Sequence, residues 1–154
     1  MKKYILILAL FIFCFTAKSQ QTIVQIAVNG EWTNQYWIDG DVIKKAVNGE
    51  WINQMWITEG GVIKKAVNGE WQNWYWIEGD VVKKGSTGEW LNMYWIQDGV
   101  IKNGSSGEWV NQFWLDGEVL KEGSSGEWIN YCWMKVPIDI HVLAVIMDEW
   151  NYGL

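Results

Sequence analysis

The residues best suited to do chemistry in this chain are tryptophans that recur at a fixed spacing. A short motif, Gly-Glu-Trp-x-Asn-x-x-Trp followed by Ile, Leu or Met, occurs six times with a period of 19 or 20 residues. Indole rings can stack on sugar rings, and repeated weak contacts add up along an extended polymer. The second tryptophans of the motif are the candidate ligand-binding row: Trp37, Trp56, Trp76, Trp95, Trp114 and Trp133.

Catalytic and metal-binding constellations do not emerge from the sequence. The only histidine, His141, lies after the motif copies, and a zinc site needs several His or Cys ligands. Acidic turns such as Asp39-Gly40-Asp41 lack the ligand spacing of calcium loops. Every copy carries the same glutamate, whereas an active site is normally unique. We therefore expect no enzyme activity, no catalytic residue, no metal and no cofactor.

Each motif copy is predicted to form a β-hairpin. Glu50 to Ile57 is rich in aromatic and β-branched residues without helical periodicity, and Val62 to Val67 forms a shorter second strand. Asn48-Gly49 is the strongest short hairpin signal. The period is typical of arrays whose units cannot bury their apolar faces alone. The predicted fold is all-β, a tandem array of six 19–20-residue hairpin repeats whose sheet forms a solenoid, a flat meander or a closed ring.

The Asn48-Gly49 turn also predicts the register of the strands. It pairs Val47 with Glu50 and Lys44 with Asn53. The first tryptophan of each later copy then faces a small residue: Ala46, Ala66, Gly85, Gly104 or Gly123. Strict alternation along the strand puts four motif positions on one face, which we expect to be the core. In the first copy these are Trp32, Asn34, Tyr36 and Ile38.

The second tryptophan then belongs to the opposite face, with Glu31, Thr33 and Gln35. That face is either an exposed ligand row or part of a second core, since a single layer of hairpins is poorly stable. Buried motif asparagines would need hydrogen bonds, so we expect a ladder of amides. Lysines should lie over the indoles or pair with glutamates: Lys44, Lys64, Lys83, Lys102 and Lys121.

The two ends of the chain differ from the array of residues 20–134. Residues 1–19 have a charged start, an apolar run from Tyr4 to Phe15 and small residues before Gln20, as in a bacterial secretory signal. The apolar run is too short to span a bilayer, so we expect no transmembrane segment after cleavage. In residues 135–154, alternation from Val136 to Ala144 predicts a cap strand, and Glu149 to Tyr152 resembles a decayed seventh copy.

Charge and cysteine usage narrow the partners. After signal cleavage nine lysines face 18 acids, a net charge near −9, and the chain has no arginine. A nucleic-acid partner is therefore excluded, because phosphate recognition needs a basic surface. Only Cys132 remains, so no internal disulfide can form, and we expect a buried, unreactive thiol. The predicted location is secreted, periplasmic or on the cell surface.

The motif resembles two secreted repeat families. Gly107-Glu108-Trp109 followed by the run Asp116 to Gly123 resembles the MORN-variant repeats of YwqK-like proteins. That resemblance covers about Gly30 to Met134 and implies an all-β scaffold or interaction surface without catalytic residues. The run Val47 to Trp51 is similar to the start of choline-binding or cell-wall-binding repeats. Those repeats cage a quaternary ammonium group between aromatic side chains.

Two functions follow as hypotheses. The first is a non-enzymatic interaction or structural scaffold with a protein partner. The second is a module that binds a glycan or cell-wall polymer through the second tryptophans. Self-association through open sheet edges is a further alternative. A membrane-spanning sheet needs strands of roughly 9–11 residues, and the predicted second strands are shorter.

Overall fold

A computed structural model describes residues 21–86, 89–104, 106–124 and 127–152. The predicted signal peptide, residues 1–19, lies outside these ranges. The described residues form twelve strands and one helix. The strands are β1 Gln21–Val28, β2 Glu31–Asp39, β3 Val42–Val47, β4 Glu50–Ile57, β5 Val62–Val67, β6 Glu70–Glu78, β7 Val81–Ser86, β8 Glu89–Gln97, β9 Val100–Asn103, β10 Val110–Asp116, β11 Val119–Ser124 and β12 Glu127–Met134. The helix is α1 Ile140–Tyr152.

The strands form one antiparallel meander that closes into a barrel. Each strand pairs with its neighbours in sequence, and β1 pairs with β12, where Val24 lies opposite Met134 and Ile26 opposite Cys132. The predicted all-β class is confirmed, and of the arrangements left open by the sequence the structure has a meander that closes into a ring. Closure pairs the sheet edges on which the self-association hypothesis rested.

Asn-Gly turns mark one end of the barrel. Asn48 and Gly49 both adopt left-handed backbone, with φ of 51° and 83°, as a two-residue hairpin turn of type I′ requires. The register predicted from this turn is confirmed, with Ala46 opposite Trp51. The same backbone recurs at Asn29-Gly30 and Asn68-Gly69. We call this the asparagine end, and the opposite end, where β2 turns into β3, the acidic end.

The six strands that contain the motif, which we call the long strands, each carry one extra residue. They are β2, β4, β6, β8, β10 and β12. In the β3–β4 pair Lys44 lies opposite Asn53, as predicted, but Ile43 lies opposite Met55, so Gln54 is a β-bulge. The same shift recurs in the five other pairs that join a long strand to the strand before it. The six bulged residues are Gln35, Gln54, Trp74, Met93, Gln112 and Tyr131.

The bulge reverses the side-chain alternation in the first half of each long strand. Tyr36 and Ile38 are buried, as predicted, whereas Trp32 and Asn34 are exposed. The prediction that the first tryptophan and the asparagine lie in the core is therefore wrong, because strict alternation does not hold across a bulge. The predicted ladder of buried amides is wrong for the same reason. The exposed motif asparagines are Asn34, Asn53, Asn73, Asn92, Asn111 and Asn130.

The C-terminal segment is the helix α1 and not the predicted cap strand. Asp139 caps its first turn, with Oδ1 accepting from the backbone N–H of His141 at 2.8 Å and of Val142 at 3.4 Å. The predicted seventh copy, Glu149 to Tyr152, is the last part of this helix. Alternation misled here because its polar positions lie before the helix or in its first turn, whereas Val142 to Met147 is an unbroken apolar run without helical periodicity.

The helix lies inside the barrel, running from the acidic end towards the asparagine end. Eight consecutive residues, Val142 to Glu149, are buried, which a helix achieves only when it is surrounded. The barrel wall contributes one layer of buried side chains around it. They are Val24, Ile26, Tyr36, Ile38, Ile43, Met55, Ile63, Tyr75, Val82, Tyr94, Ile96, Ile101, Phe113, Leu120, Cys132 and Met134.

Candidate functional site

The outer face of the barrel carries both tryptophans of each motif copy, which we call the outer belt. An odd spacing would place the two indoles on opposite faces, and the bulge between them brings both outside. The second tryptophans of the first five copies each meet the first tryptophan of the next copy edge to face, with ring centroids 6.0 to 6.4 Å apart. The pairs are Trp37–Trp51, Trp56–Trp71, Trp76–Trp90, Trp95–Trp109 and Trp114–Trp128.

A lysine from the intervening short strand covers the second tryptophan of each pair. Lys44 Nζ lies 4.1 Å from the ring centroid of Trp37, within the range of a cation–π contact. The equivalent contacts are Lys64 over Trp56, Lys83 over Trp76, Lys102 over Trp95 and Lys121 over Trp114. The prediction that these lysines lie over the indoles is confirmed.

Most of these lysines also hold a polar partner on the same face. Lys44 pairs with Asp39 at 2.9 Å and Lys121 with Asp116 at 2.7 Å. The hydrogen bonds from Lys44 and Gln21 keep the pKa of the Asp39 carboxyl below its ordinary range. These partners hold the ammonium groups in place over the rings, although exposed pairs add little stability.

The first tryptophans of the belt are its exposed platforms. Their exposed fractions run from 36% to 44%. The indole of Trp90 lies against Gly85, where an added Cβ would come within 3.4 Å of Cζ3. The small residue thus lets the ring lie close to the sheet and turn its other side to solvent. The six platforms are Trp32, Trp51, Trp71, Trp90, Trp109 and Trp128.

The predicted ligand row of second tryptophans lies in the same belt but is less open. Trp56 is exposed, and the other second tryptophans are partly buried. A lysine and a neighbouring indole cover four of these, Trp37, Trp76, Trp95 and Trp114. Trp133 lies at the seam of the barrel, opposite Gln25 of β1. The structure places the predicted site residues Trp37, Trp56, Trp76, Trp95, Trp114 and Trp133 on the outer face.

Inside the barrel, the last turns of α1 carry two buried carboxylates that the sequence prediction missed. Asp148 is fully buried and accepts hydrogen bonds from Tyr75 at 2.5 Å and Tyr94 at 2.8 Å. Its third partner is Lys84, whose Nζ lies 2.7 Å away. A buried charge is tolerated only with such partners.

The second carboxylate, Glu149, completes this group. It pairs with Lys65 at 2.8 Å and shares with Asp148 the single hydroxyl proton of Tyr75, whose oxygen lies 2.8 Å away. Two lysines therefore balance two acids in the lumen. We call the group the lumenal cluster, and its members are Lys65, Tyr75, Lys84, Tyr94, Asp148 and Glu149.

Burial and the carboxylates keep the lumenal tyrosines neutral. The pKa values of Tyr75 and Tyr94 are raised far above the ordinary value by burial first and by the Asp148 charge next. Burial and Glu149 likewise raise the pKa of Tyr36, whose buried hydroxyl has no hydrogen-bond partner among the described residues. Tyr75 and Tyr94 therefore act as donors to the acids of the helix.

The remaining candidates for chemistry are His141 and Cys132. His141 Nδ1 lies 2.9 Å from Asp139 Oδ1, beside the helix cap. Burial raises the pKa of the Cys132 thiol to about 12, so the unreactive protonated form dominates. The described ranges contain no cluster of three or more His, Cys, Asp or Glu side chains that could hold a metal. They also contain no helix with the length and apolar character needed to cross a membrane.

Comparison with known proteins does not identify the function of these two sites. No protein-family model, curated protein or solved structure matches the chain. The resemblance to MORN-variant and cell-wall-binding repeats therefore stays a prediction. The outer belt and the lumenal cluster are the two candidate functional sites.

Proposed function

We propose that the protein is a non-enzymatic binding protein that holds an extended glycan or cell-wall polymer on its outer belt. The observation that carries the proposal is the row of first tryptophans, each 36% to 44% exposed. Large aromatic groups exposed in a continuous pattern mark a binding surface more often than isolated ones do.

Each unit of the belt offers the groups that a sugar ring needs. Trp51 supplies an apolar platform, and the amide of Asn53 can both donate and accept hydrogen bonds. Lys44 lies opposite Asn53 on the neighbouring strand and adds a positively charged donor. A pyranose has the matching chemistry, with an apolar C–H face and hydroxyl groups around its edge.

Repetition favours a long ligand over a small one. The motif occurs six times in the sequence, and the belt follows the strands around the barrel. Linked weak sites raise overall affinity by about 10²–10⁴ when one ligand engages several of them. The net charge near −9 after signal cleavage disfavours polyanions such as nucleic acids. A secretory signal at residues 1–19 would bring the protein to such polymers.

Depletion of the protein by insoluble polymers tests the proposal. Residues 20–154 are mixed with peptidoglycan, chitin and cellulose, and the unbound protein is measured. A triple variant replaces Trp51, Trp71 and Trp90 with alanine. Its control replaces three other apolar residues of similar exposure with alanine. They are Ile52, Leu91 and Val110, which lie on the inner face of the strands near the asparagine end.

The proposal expects at least one polymer to retain the protein and the control. The triple tryptophan variant should bind about a hundredfold more weakly while keeping its folded circular dichroism spectrum. Retention by none of the polymers, or equal retention of the two variants, would contradict the proposal.

An interaction or structural scaffold is the second candidate. The coverage of the second tryptophans by lysines and neighbouring indoles favours it, because these contacts brace adjacent strands. In that case the partner is a protein or another copy of the chain. The triple tryptophan variant would then lose stability without any loss of polymer binding.

A further inference from the structure

The asparagine end of the lumen contains an open cleft beside the lumenal cluster. Its volume is about 540 Å³, within the range of small-molecule sites. The cleft reaches from the last turn of α1 to the strands β4 to β7. The side chains that matter for its chemistry are Gln54, Lys65, Asn68, Trp74, Lys84 and Glu149.

The aromatic wall of this cleft departs from the motif. Trp74 is the bulged residue of β6 and packs against the core, while three other copies have glutamine at this position. Lys65 Nζ lies 5.1 Å from the Trp74 ring centroid. Trp74 is thus the one bulged residue of the described strands that brings an indole to the lumen wall, next to the buried acids.

The charges of the cleft select against ions. Glu149 neutralises Lys65 and Asp148 neutralises Lys84. An anion would have to break a buried ion pair to gain a lysine, which is costly. A cation would meet two lysines and an indole that already holds an ammonium group. The ligand that remains is neutral.

The polar groups of the cleft favour a ligand that both donates and accepts hydrogen bonds. The amides of Gln54 and Asn68 can do both, and the Lys65–Glu149 pair has a donor and an acceptor to spare. Trp74 adds an apolar platform. We propose that this cleft binds a neutral pyranose sugar, stacked on Trp74 and held by the Lys65–Glu149 pair. The inference is independent of polymer binding by the outer belt.

Indole N–H resonances in a two-dimensional proton–nitrogen NMR spectrum test the site directly. The peak of Trp74 is assigned by its loss in Trp74→Gln, a change that installs the residue found at the bulge in three other copies. Met93→Gln makes the same replacement at the next bulge along the barrel and serves as the matched control. The probes are cellobiose, diacetylchitobiose and lactose, with choline and inorganic phosphate as charged comparisons.

At least one disaccharide should shift the Trp74 peak saturably in the native chain, in Met93→Gln and in the triple outer-belt variant. In Trp74→Gln the affinity, followed on the remaining peaks, should fall about tenfold or more. The inference fails if no disaccharide moves the Trp74 peak, or if Trp74→Gln binds as tightly as the control. A saturable shift with only choline or phosphate would overturn the neutral ligand class.

Discussion

The outer belt and the lumenal cluster lie on opposite faces of the same strands and follow opposite rules. On the outside, five pairs of indoles repeat nearly the same geometry, with centroid distances of 6.0 to 6.4 Å. On the inside, one sector collects two lysines and two tyrosines around Asp148 and Glu149 of α1, which lies outside the repeats. The comparison shows that a repeated sequence can present equivalent sites outwards while its departures from the repeat build one unique site inwards.

The two faces also differ in what their ion pairs contribute. The outer pair Lys121–Asp116 is half open to water, with the Asp116 side chain 53% exposed. The inner pair Lys84–Asp148 has a fully buried carboxylate. Exposed pairs contribute about 0–1 kcal/mol, whereas loss of one partner of a buried pair costs about 3–5 kcal/mol. The lumenal cluster therefore fixes the helix in the barrel, and the outer pairs mainly orient lysines.

The largest expected effect comes from breaking the lumenal cluster. Asp148→Ala leaves Lys84 and Tyr94 without their buried acceptor, and Tyr75 keeps only Glu149. Its free energy of unfolding should fall by about 3–5 kcal/mol, against about 0–1 kcal/mol for the exposed control Asp116→Ala. Urea denaturation measures both values. Equal losses in the two variants would erase the energetic contrast between the faces.

The second largest effect is expected from alkaline pH, which should lower the free energy of unfolding through the lumenal tyrosines. The folded-state pKa values of Tyr75 and Tyr94 lie above the unfolded value of 10.0. Above pH 10 the unfolded chain therefore releases protons that the folded chain keeps, so stability falls as pH rises. Tyrosinate absorbance and circular dichroism should show these hydroxyls ionising only together with unfolding. Their complete ionisation in a chain that stays folded would refute the buried, neutral assignment.

A smaller effect separates two positions within the outer belt. A Cβ at Gly104 would lie 2.5 Å from Cζ3 of Trp109, so Gly104→Ala should displace that indole and cost about 1–3 kcal/mol. At Gly85 the Cβ would lie 3.4 Å from Trp90, and two other copies have alanine in this register. Gly85→Ala should change stability by less than about 1 kcal/mol, towards greater stability. Denaturant midpoints compare the two, and a more harmful Gly85→Ala would contradict the packing described for the belt.

The smallest expected signal is the labelling of the lumenal thiol of Cys132 in the folded chain. Burial raises the pKa of Cys132 to about 12, and the thiolate is the reactive form. Alkylation by iodoacetamide at neutral pH should be more than about a hundredfold slower in the folded chain than in the denatured chain. Mass spectrometry follows the labelling. Fast labelling of the folded protein would show that the lumen opens.

The sequence was sufficient to predict the hairpins and their turns, but not which side chains lie on each face of the sheet. The Asn48-Gly49 turn correctly placed Ala46 opposite Trp51, because turn geometry sets local register. The bulge was missed because alternation was followed along one strand alone. The short strand β3 contains a signal for it. Lys44 faces Trp37 on one side, and Ala46 faces Trp51 on the other. Trp37 and Trp51 therefore share a face, and Trp56, the equivalent of Trp37 in the next copy, must share it as well. The odd spacing of Trp51 and Trp56 allows this only with an extra residue between them.

The lumenal cluster could be anticipated only from pairs of adjacent lysines. In Lys64-Lys65 and Lys83-Lys84 alternation sends one lysine to each face, so one of each pair points into a closed barrel. A buried lysine needs an acid, yet the choice of Asp148 and Glu149 depends on the helix lying in the lumen. That placement is a long-range tertiary event, and the unbroken apolar run Val142 to Met147 carries no periodicity that predicts it.

The most direct test of the central claim compares a long ligand with a short one on the outer belt. Calorimetric titration uses Trp74→Gln, which removes the platform of the lumenal cleft, with soluble strands of the polymer that retains the protein and with its disaccharide unit. Simultaneous contact with several indole platforms predicts that the polymer binds about 10²–10⁴ times more tightly than the disaccharide. Equal affinities, or no binding of the polymer, would contradict a belt of equivalent sites for an extended glycan.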